Sequence, residues 1–485
     1  MARHIRHSKT DARPSSVWTI NGFSEDLPLR VFVSPTLPGM VKPPPYHLSI
    51  VLDEESNIAQ ALIRAFDYMR SPEKDFGVEC ITTKLLALLN QWSDGVDLTK
   101  LLEVTPFGSS FRVSGQSITE LQIWMSPNFQ LERRYLSVPR LECLWGSLEL
   151  PPLIDLDQLE FVSRLHDSIS LVKLPNGQHA VFKGVVRVVA RMYHELRELL
   201  NMPPHPNIIA RPMFLVMRKV RGMEHPAACG FILQFHAGGS LLHALTNIPY
   251  RRELQLATKI KWIRQIISAF LHIHGPANGY YSDLRPDNIV LNSDNDIILV
   301  DFEQGGSPKR WLPPEAQPLH CDVNSELPQW CLSAVNPAYM PNSIHYSNPP
   351  FGYWKQFANA SNREREEMEC YTIAKVIWCI FEEQTNQLSS WDLTDEEGRL
   401  RRNDGVQLRH TVFPYFSKTP PTLRHWIWAC TKHSREWGDE RCRCTSTPEI
   451  CGVSGARYHG GGMDSHPGPC IRNMHLALEG WIADQ

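Results

Sequence analysis

The sequence predicts an α+β protein whose strands and helices are largely segregated along the chain. Three observations carry that reading. Between residues 159 and 235, several short apolar runs bounded by turn residues surround one helical pattern, at 189–201. After residue 254, apolar residues recur at helical spacing in long segments. Before residue 150, an additional α/β region alternates short strands and helices. At 485 residues the chain exceeds one average domain, and two or three are expected.

Composition narrows the class. Hydrophobic residues make up 42% and charged residues 21%, the balance of a soluble globular protein. A formal net charge of −3 gives no reason to expect nucleic acid as a partner. No apolar run approaches the roughly 18 residues that span a bilayer, so no membrane partner is expected. Residues 1–16 carry Arg3, Arg6, Lys9 and Arg13 without an apolar core, so no secretory signal peptide is expected here. Asp11 and Pro14 count against a mitochondrial presequence, and a disordered tail is expected. Twelve scattered cysteines make no disulfide framework, so a reducing, intracellular and cytoplasmic location is expected.

Taken in order, residues 30–33 and 47–52 are predicted strands, separated by the turn-forming Pro43, Pro44 and Pro45. Ile58, Ala61, Leu62, Ala65, Phe66 and Met69 have helical spacing, and residues 80–92 repeat it. Residues 111–125 alternate weakly and read as strand. No catalytic constellation stands out in 17–150, whose expected role is to pack against or regulate the rest of the chain. Pro151-Pro152 marks a boundary. Residues 159–174 read as two strands, and Asn176-Gly177 as the turn of a hairpin into a third, 179–183, which ends in Lys183. A helix over 189–201 carries Glu195 and Glu198, and two strands follow around 214–219 and 230–235.

Helices are predicted at 254–274, 367–383 and 422–431, the second apolar all round and therefore buried. Residues 439–469 are rich in Gly, Cys and Ser and read as irregular, and 474–483 as a short closing helix. Cys442, Cys444, Cys451 and Cys470 with His459 invite a zinc reading, but their spacing lacks the usual close ligand pair, so thiols are expected instead.

The chemistry concentrates in Tyr281-Ser282-Asp283-Leu284-Arg285-Pro286-Asp287-Asn288, followed by an apolar hairpin and Asp301-Phe302-Glu303. Asp283, Asn288 and Asp301 are oxygen donors suited to Mg²⁺, which takes a few protein ligands and completes its shell with phosphates and water. Taken singly they are also ordinary turn residues. In order, these motifs resemble the protein kinase family: the loop stands for H-R-D-L-x-x-x-N, and Asp301-Phe302-Glu303 for D-F-G. His205-Pro206-Asn207, Gly238-Gly239-Ser240-Leu241, Trp311-Leu312-Pro313-Pro314-Glu315 and Glu369-Cys370-Tyr371 extend the resemblance over roughly 159–432.

The resemblance implies a bilobal fold, a small β-rich lobe before a larger helical one, spanning 151–445, with 446–485 as an irregular extension. It implies ATP and Mg as cofactors and a protein as substrate or partner. Asp283 would be the catalytic base, and Asn288 and Asp301 the metal ligands. Lys183 would hold the α- and β-phosphates and pair with Glu195 or Glu198. Arg285 stands where the family carries a lysine near the transferred phosphate. Ala180, Leu233, Gln234 and His236 would form the adenine pocket.

The sequence also departs from the pattern. Residues 163–172 contain no glycine where the family has G-x-G-x-x-G, and Asp167 adds negative charge there. Tyr281 and Ser282 replace His and Arg, and the lost Arg removes the usual receiver of an activation-loop phosphate. The segment after Asp301 is short, with Ser307 as its hydroxyl, and Glu303 replaces glycine. Three functions remain open: an active protein kinase, a pseudokinase that binds or scaffolds, and a small-molecule phosphotransferase of the aminoglycoside-kinase-like type, which often carries D-F-E.

Overall fold

A computed structural model of the protein describes residues 17–24, 29–35, 44–52, 76–114, 121–166, 168–184, 189–246, 253–277, 279–303, 311, 313, 360–385, 413, 416–431 and 470–483. The expected tail 1–16, the helix at 58–69, Asp167, Ser307, most of the 311–315 motif and most of the 316–365 segment lie outside these residues, as do Cys442, Cys444, Cys451 and His459.

The first sheet holds β1 (Trp18–Ser24), β2 (Leu29–Pro35), β3 (Leu48–Leu52), β4 (Ser110–Ser114) and β5 (Gln122–Ser126), in that order. Neighbours are antiparallel except β3 and β4. A parallel pair needs a crossover, and α1 (Phe76–Ser93) and α2 (Leu98–Val104) lie within this one. One sheet face carries Ile20, Val31, Val33 and Ile50 against Leu85, Leu89, Leu98 and Leu102. Strand alternation puts Phe32 on the opposite face.

The second sheet follows α3 (Phe129–Glu132). It is built from β6 (Leu136–Ser137), β7 (Leu153–Asp155), β8 (Glu160–Arg164), β9 (Ile169–Lys173), β10 (His179–Gly184), β11 (Phe214–Arg218) and β12 (Ala227–Gln234). Its order is β7-β11-β12-β10-β9-β8, with β6 also on β12. The helix α4 (Val138–Trp145) follows β6, and α5 (Val189–Asn201) lies between β10 and β11. The turn into β10 forms as Asn-Gly predicts: Gly177 has φ 84°, and Gln178 N–H donates to Asn176 Oδ1 at 2.9 Å. Leu131, Tyr135 and Leu141 join the core of this second sheet, so residues before Pro151 are part of its packing. At the centre of the sheet Gly230 is required: a Cβ there would lie 2.3 Å from the Lys183 carbonyl oxygen.

The third part is helical. It comprises α6 (Leu241–Thr246), α7 (Leu256–His274), the hairpin of β13 (Ile289–Leu291) and β14 (Ile297–Leu299), then α8 (Asn362–Glu382), α9 (Pro421–Thr431) and α10 (Ile471–Ala483). α8 packs against α7 and α9, and α10 against α7. From Met368 to Glu382 every residue of α8 is buried, as an all-round apolar helix requires. The helix starts at Asn362, not at 367 as the apolar pattern suggested. Its first turn is set by a capping box, with Ser361 N–H on Glu364 Oε2 at 2.6 Å and Glu364 N–H on Ser361 Oγ at 3.3 Å. That polar turn carries no hydrophobic period to read. Among the described residues no helix is long and apolar enough to cross a membrane. This mixture of β-sheet and helices is compatible with a kinase-like fold.

Candidate functional site

The hairpin β13–β14 carries the site's acids and is held on both edges. On one side Gly238 N–H donates to Leu291 O at 3.1 Å, and Leu291 N–H to Gly239 O at 2.8 Å. A Cβ on Gly238 would lie 2.5 Å from Leu291 O, so this close approach needs glycine. On the other side Leu299 N–H donates to Asn207 O at 2.9 Å, and Asn207 Nδ2 to Ile297 O at 2.9 Å. The Gly238-Gly239 and His205-Pro206-Asn207 stretches singled out in the sequence thus converge on one hairpin. The hairpin delivers Asp301 with φ 69°, a left-handed conformation that turns the chain sharply.

Lys183, next to last in β10, is itself buried. Its Nζ lies 2.6 Å from Glu195 Oε2, 2.6 Å from Asp301 Oδ1 and 3.1 Å from Glu303 Oε1. The partner on α5 is therefore Glu195, not Glu198. Glu195 also accepts from Phe302 N–H at 3.0 Å, which ties α5 to the turn after β14. Burial works against the lysine's charge, but Asp301, Glu195 and Glu303 outweigh it and hold its pKa well above the ordinary value. Burial pushes the Glu195 carboxyl up to about 8 despite Lys183. Burial also acts on Asp301, yet Lys183 outweighs it and holds that carboxyl below its ordinary value. One ammonium thus sits among three carboxylates.

A second cluster sits on the loop before the hairpin. Asp283 is buried, with Arg285 Nε 3.2 Å from its Oδ1. Arg285 Nη1 lies 2.9 Å from Asp287 Oδ2. Burial opposes the guanidinium's charge, but Asp283 and Asp287 outweigh it and raise its pKa. Asn288 Nδ2 donates to Asp283 O at 2.9 Å and to its Oδ2 at 3.1 Å, which leaves the amide oxygen as the atom for a cation. Arg285 also helps to hold Asp301 ionised, so the two clusters act on each other.

The loop is fixed from below. Tyr281 is buried; its Oη donates to Val300 O at 2.5 Å, and its ring lies 4.9 Å from that of Phe302. Its N–H donates to Glu369 Oε1 at 2.6 Å, and Glu369 Oε2 lies 2.6 Å from His274 Nε2. The Glu of α8 therefore joins α7 to the loop. Burial opposes the charge of His274, but Glu369 outweighs it and raises its pKa above 6.5. Burial raises the Glu369 carboxyl. A raised histidine stabilises the fold fully below its unfolded pKa and loses that contribution as pH rises through the folded value. A raised carboxyl acts in the same direction. Stability is expected to fall as pH rises above about 6.5, and this part of the slope to vanish in His274→Gln. Urea denaturation at a series of pH values measures it; an unchanged slope would remove His274 from that role.

The residues expected around adenine lie on and just after the paired strands β10 and β12. Ala180 and Gln234 face each other across β10 and β12, and Leu233 is opposite Val181. Ala180 and Leu233 are buried, and Gln234 is exposed. His236 follows β12; its Nε2 is buried without a hydrogen-bond partner, and burial lowers its pKa.

Carboxylate oxygens of Glu195, Asp301 and Glu303 lie within 4.8 Å of one another. Lys183 Nζ already sits among these three oxygens, so the donors left to a hard cation such as Mg²⁺ are the second oxygen of Asp301 and the amide oxygen of Asn288. In the sequence Glu303 reads as a replaced glycine and as one more carboxylate near the metal turn; its contact with Lys183 at 3.1 Å appears only in the fold. Glu369 was noted as part of a helix motif, but its two partners lie 88 and 95 residues away in sequence.

Stretches of the chain are similar to several curated protein kinases, and the likeness points to a protein kinase-like domain. CBL-interacting protein kinase 12 of Oryza sativa subsp. japonica is 26% identical over 149 residues, 30% of this chain and 24% of that protein. The hormonally up-regulated neu tumor-associated kinase of Mus musculus is 35% identical over 105 residues, 22% of this chain and 13% of that protein. CBL-interacting serine/threonine-protein kinase 24 of Arabidopsis thaliana is 24% identical over 123 residues, 25% of each chain. The chain therefore spans a quarter or less of the length of these relatives. No family model matches it.

Proposed function

We propose that the protein transfers the γ-phosphoryl group of ATP, with Mg²⁺, to a serine or threonine hydroxyl of a protein inside the cell. The observation that carries this reading is the convergence on Lys183 Nζ of Glu195 from α5 and Asp301 from the β13–β14 hairpin, both at 2.6 Å. In this reading the second sheet is the small lobe and α6–α10 belong to the larger one, within a unit taken as 151–445 on which residues 129–150 pack.

Ala180, Leu233 and the chain from Gln234 to His236 receive adenine. Lys183 binds the α- and β-phosphates and is oriented by Glu195. Bound Mg²⁺ neutralises phosphate charge and orients the transferred group. Asp301 and the Asn288 amide oxygen hold it. Asp283 accepts the hydroxyl proton, and Arg285, kept charged by Asp283 and Asp287, stabilises charge on the transferred phosphoryl.

A binding module without transfer is the second reading. The crowding of three carboxylates around one ammonium favours it, because it opposes entry of a polyphosphate. A thermal shift with Mg-ATP separates the readings. At 100 times Kd, binding is expected to stabilise the fold by about 2.7 kcal/mol. No shift at millimolar Mg-ATP would sink the kinase reading. A shift with no phosphate transfer to protein or small-molecule acceptors supports the binding module. Transfer to an aminoglycoside but not to protein supports the small-molecule phosphotransferase.

A further inference from the structure

The helix that supplies Glu195 is held at a second point, on its other side. Tyr193 and Glu195 are two residues apart on α5, so about 200° of helix rotation separates their side chains. Glu195 faces Lys183 and the Phe302 N–H. Tyr193 is fully buried. Its Oη donates to Ala228 O on β12 at 2.8 Å and accepts from Leu136 N–H on β6 at 2.7 Å. β6 is paired to the same stretch of β12, with Leu136 opposite Ala228. One hydroxyl therefore joins α5 to two paired strands. From α4, the Trp145 ring meets the Tyr193 ring edge to face, with 6.4 Å between centres.

β6 is itself anchored. α3 ends in Glu132, which is buried. Glu132 Oε1 accepts from Phe107 N–H at 2.7 Å and lies 3.1 Å from Arg218 Nε, at the end of β11. Arg218 Nη2 also donates to Thr105 O at 2.7 Å. Hydrogen bonds to a charged group are stronger than neutral ones, so this joint, four residues before Leu136, fixes the chain firmly. Leu131, Tyr135 and Leu141 fill the same core as Tyr193 and Leu196. The segment that holds Tyr193 thus lies outside the unit taken as 151–445. Its place is set by β11 and by the stretch between α2 and β4.

We propose that Tyr193, held by β6, fixes the rotation of α5 and so keeps Glu195 on Lys183 for nucleotide binding. Met192, Leu196 and Leu199 hold α5 in the core, but apolar contacts are non-directional and leave a helix free to roll. Hydrogen bonds are directional, and a pair of them on the far side of the helix removes that freedom. Tyr193 is a positioning residue, acting through Glu195 and Lys183. The inference rests on the nucleotide site of the proposed function.

Hydrogen exchange of the full chain reads this clamp directly. Phe302 N–H donates to Glu195 Oε1, whereas Leu299 N–H, three residues earlier, donates to Asn207 O. Tyr193→Phe keeps the ring and removes both bonds of the hydroxyl. It is expected to speed exchange at Phe302 by about tenfold, the loss of roughly one hydrogen bond, and to leave Leu299 unchanged. In a Glu195→Ala background the same substitution is expected to leave Phe302 unaffected. Isothermal titration is expected to show Tyr193→Phe weakening Mg-ATP by about tenfold, with unchanged affinity for adenosine, which carries no phosphate for Lys183. The proposal is overturned by an unchanged Phe302, by equal acceleration at Leu299, or by the same acceleration without Glu195. Mg-ATP affinity within about twofold of the parent overturns it as well, while the nucleotide site stands. If the unaltered chain binds neither ligand, the nucleotide site itself falls, and this proposal with it.

Discussion

Lys183→Met is expected to abolish the Mg-ATP-induced thermal shift and to destabilise the fold by about 3–5 kcal/mol, the range for removing one partner of a buried ion pair. The size reflects the charges the lysine leaves behind. Glu195 is fully buried, and Asp301 and Glu303 are each about three-quarters buried. None of the three would then have its nearest cation. The pH dependence should change with it. In the unaltered protein the lowered Asp301 carboxyl contributes stability above its unfolded pKa and loses it as pH falls through the folded value. Without Lys183 its folded pKa rises, and Glu195, already at about 8, rises further. The variant should therefore gain stability as pH falls from about 8 to 5, where raised carboxyls take up protons. Glu195→Gln in the Lys183→Met background should restore part of the loss at neutral pH. Urea denaturation at two pH values reads all of this. A variant as stable as the parent at both would show that Lys183 is not the counter-ion of these acids.

Asp283→Asn is expected to lower phosphoryl transfer by about 10²–10⁴-fold, the range for a general base, while keeping the Mg-ATP thermal shift. The substitution preserves shape, and Arg285 keeps its contact with Asp287 at 2.9 Å. The Asn288 amide keeps its bond to the backbone carbonyl of residue 283 at 2.9 Å. What disappears is the carboxylate that would accept the hydroxyl proton. Single-turnover transfer of labelled phosphate measures the effect. A rate within about twofold of the parent would remove Asp283 from the reaction, whatever its place in the fold.

Much of the second and third parts was legible because local chemistry decides them. Asn176-Gly177 dictates a tight hairpin, and the turn forms there. The apolar spacing of 254–274 dictates an amphipathic helix, and α7 runs from Leu256 to His274. The 18 positions between Asp283 and Asp301 leave room for one hairpin, and β13–β14 occupies it. Short or polar elements escaped: β1, α2, α4 and β7 were not anticipated, since three to eight residues carry little periodicity. The start of α8 escaped because Ser361 and Glu364 set it rather than apolar spacing.

The candidate site divides along the same line. Asp283, Asn288 and Asp301 stood out in the sequence as oxygen donors in turns, and Lys183 and Arg285 entered as candidates through the resemblance to protein kinases; each lies in a turn or at a strand end whose local sequence shapes it. Glu195 and Glu198 are three apart on one helix, and three-residue spacing puts both near the same face. Only the packing of α5 through Met192, Leu196 and Leu199 decides that Glu195 reaches the lysine. The choice of Glu303 as a third acid on Lys183, and of Glu369 as the bond between α7 and the loop, likewise required the assembled fold.

The region before residue 150 shows the division most clearly. The sequence by itself determined that it contains strands and helices, because alternation and helical spacing are local properties of a chain. It did not determine that Phe32 and the Leu48 carbonyl meet Arg164, more than 100 residues away, beside the lysine. Such a contact depends on which face of each sheet is left over once its own core is filled. That is decided by how the two sheets pack, and only the tertiary structure records it.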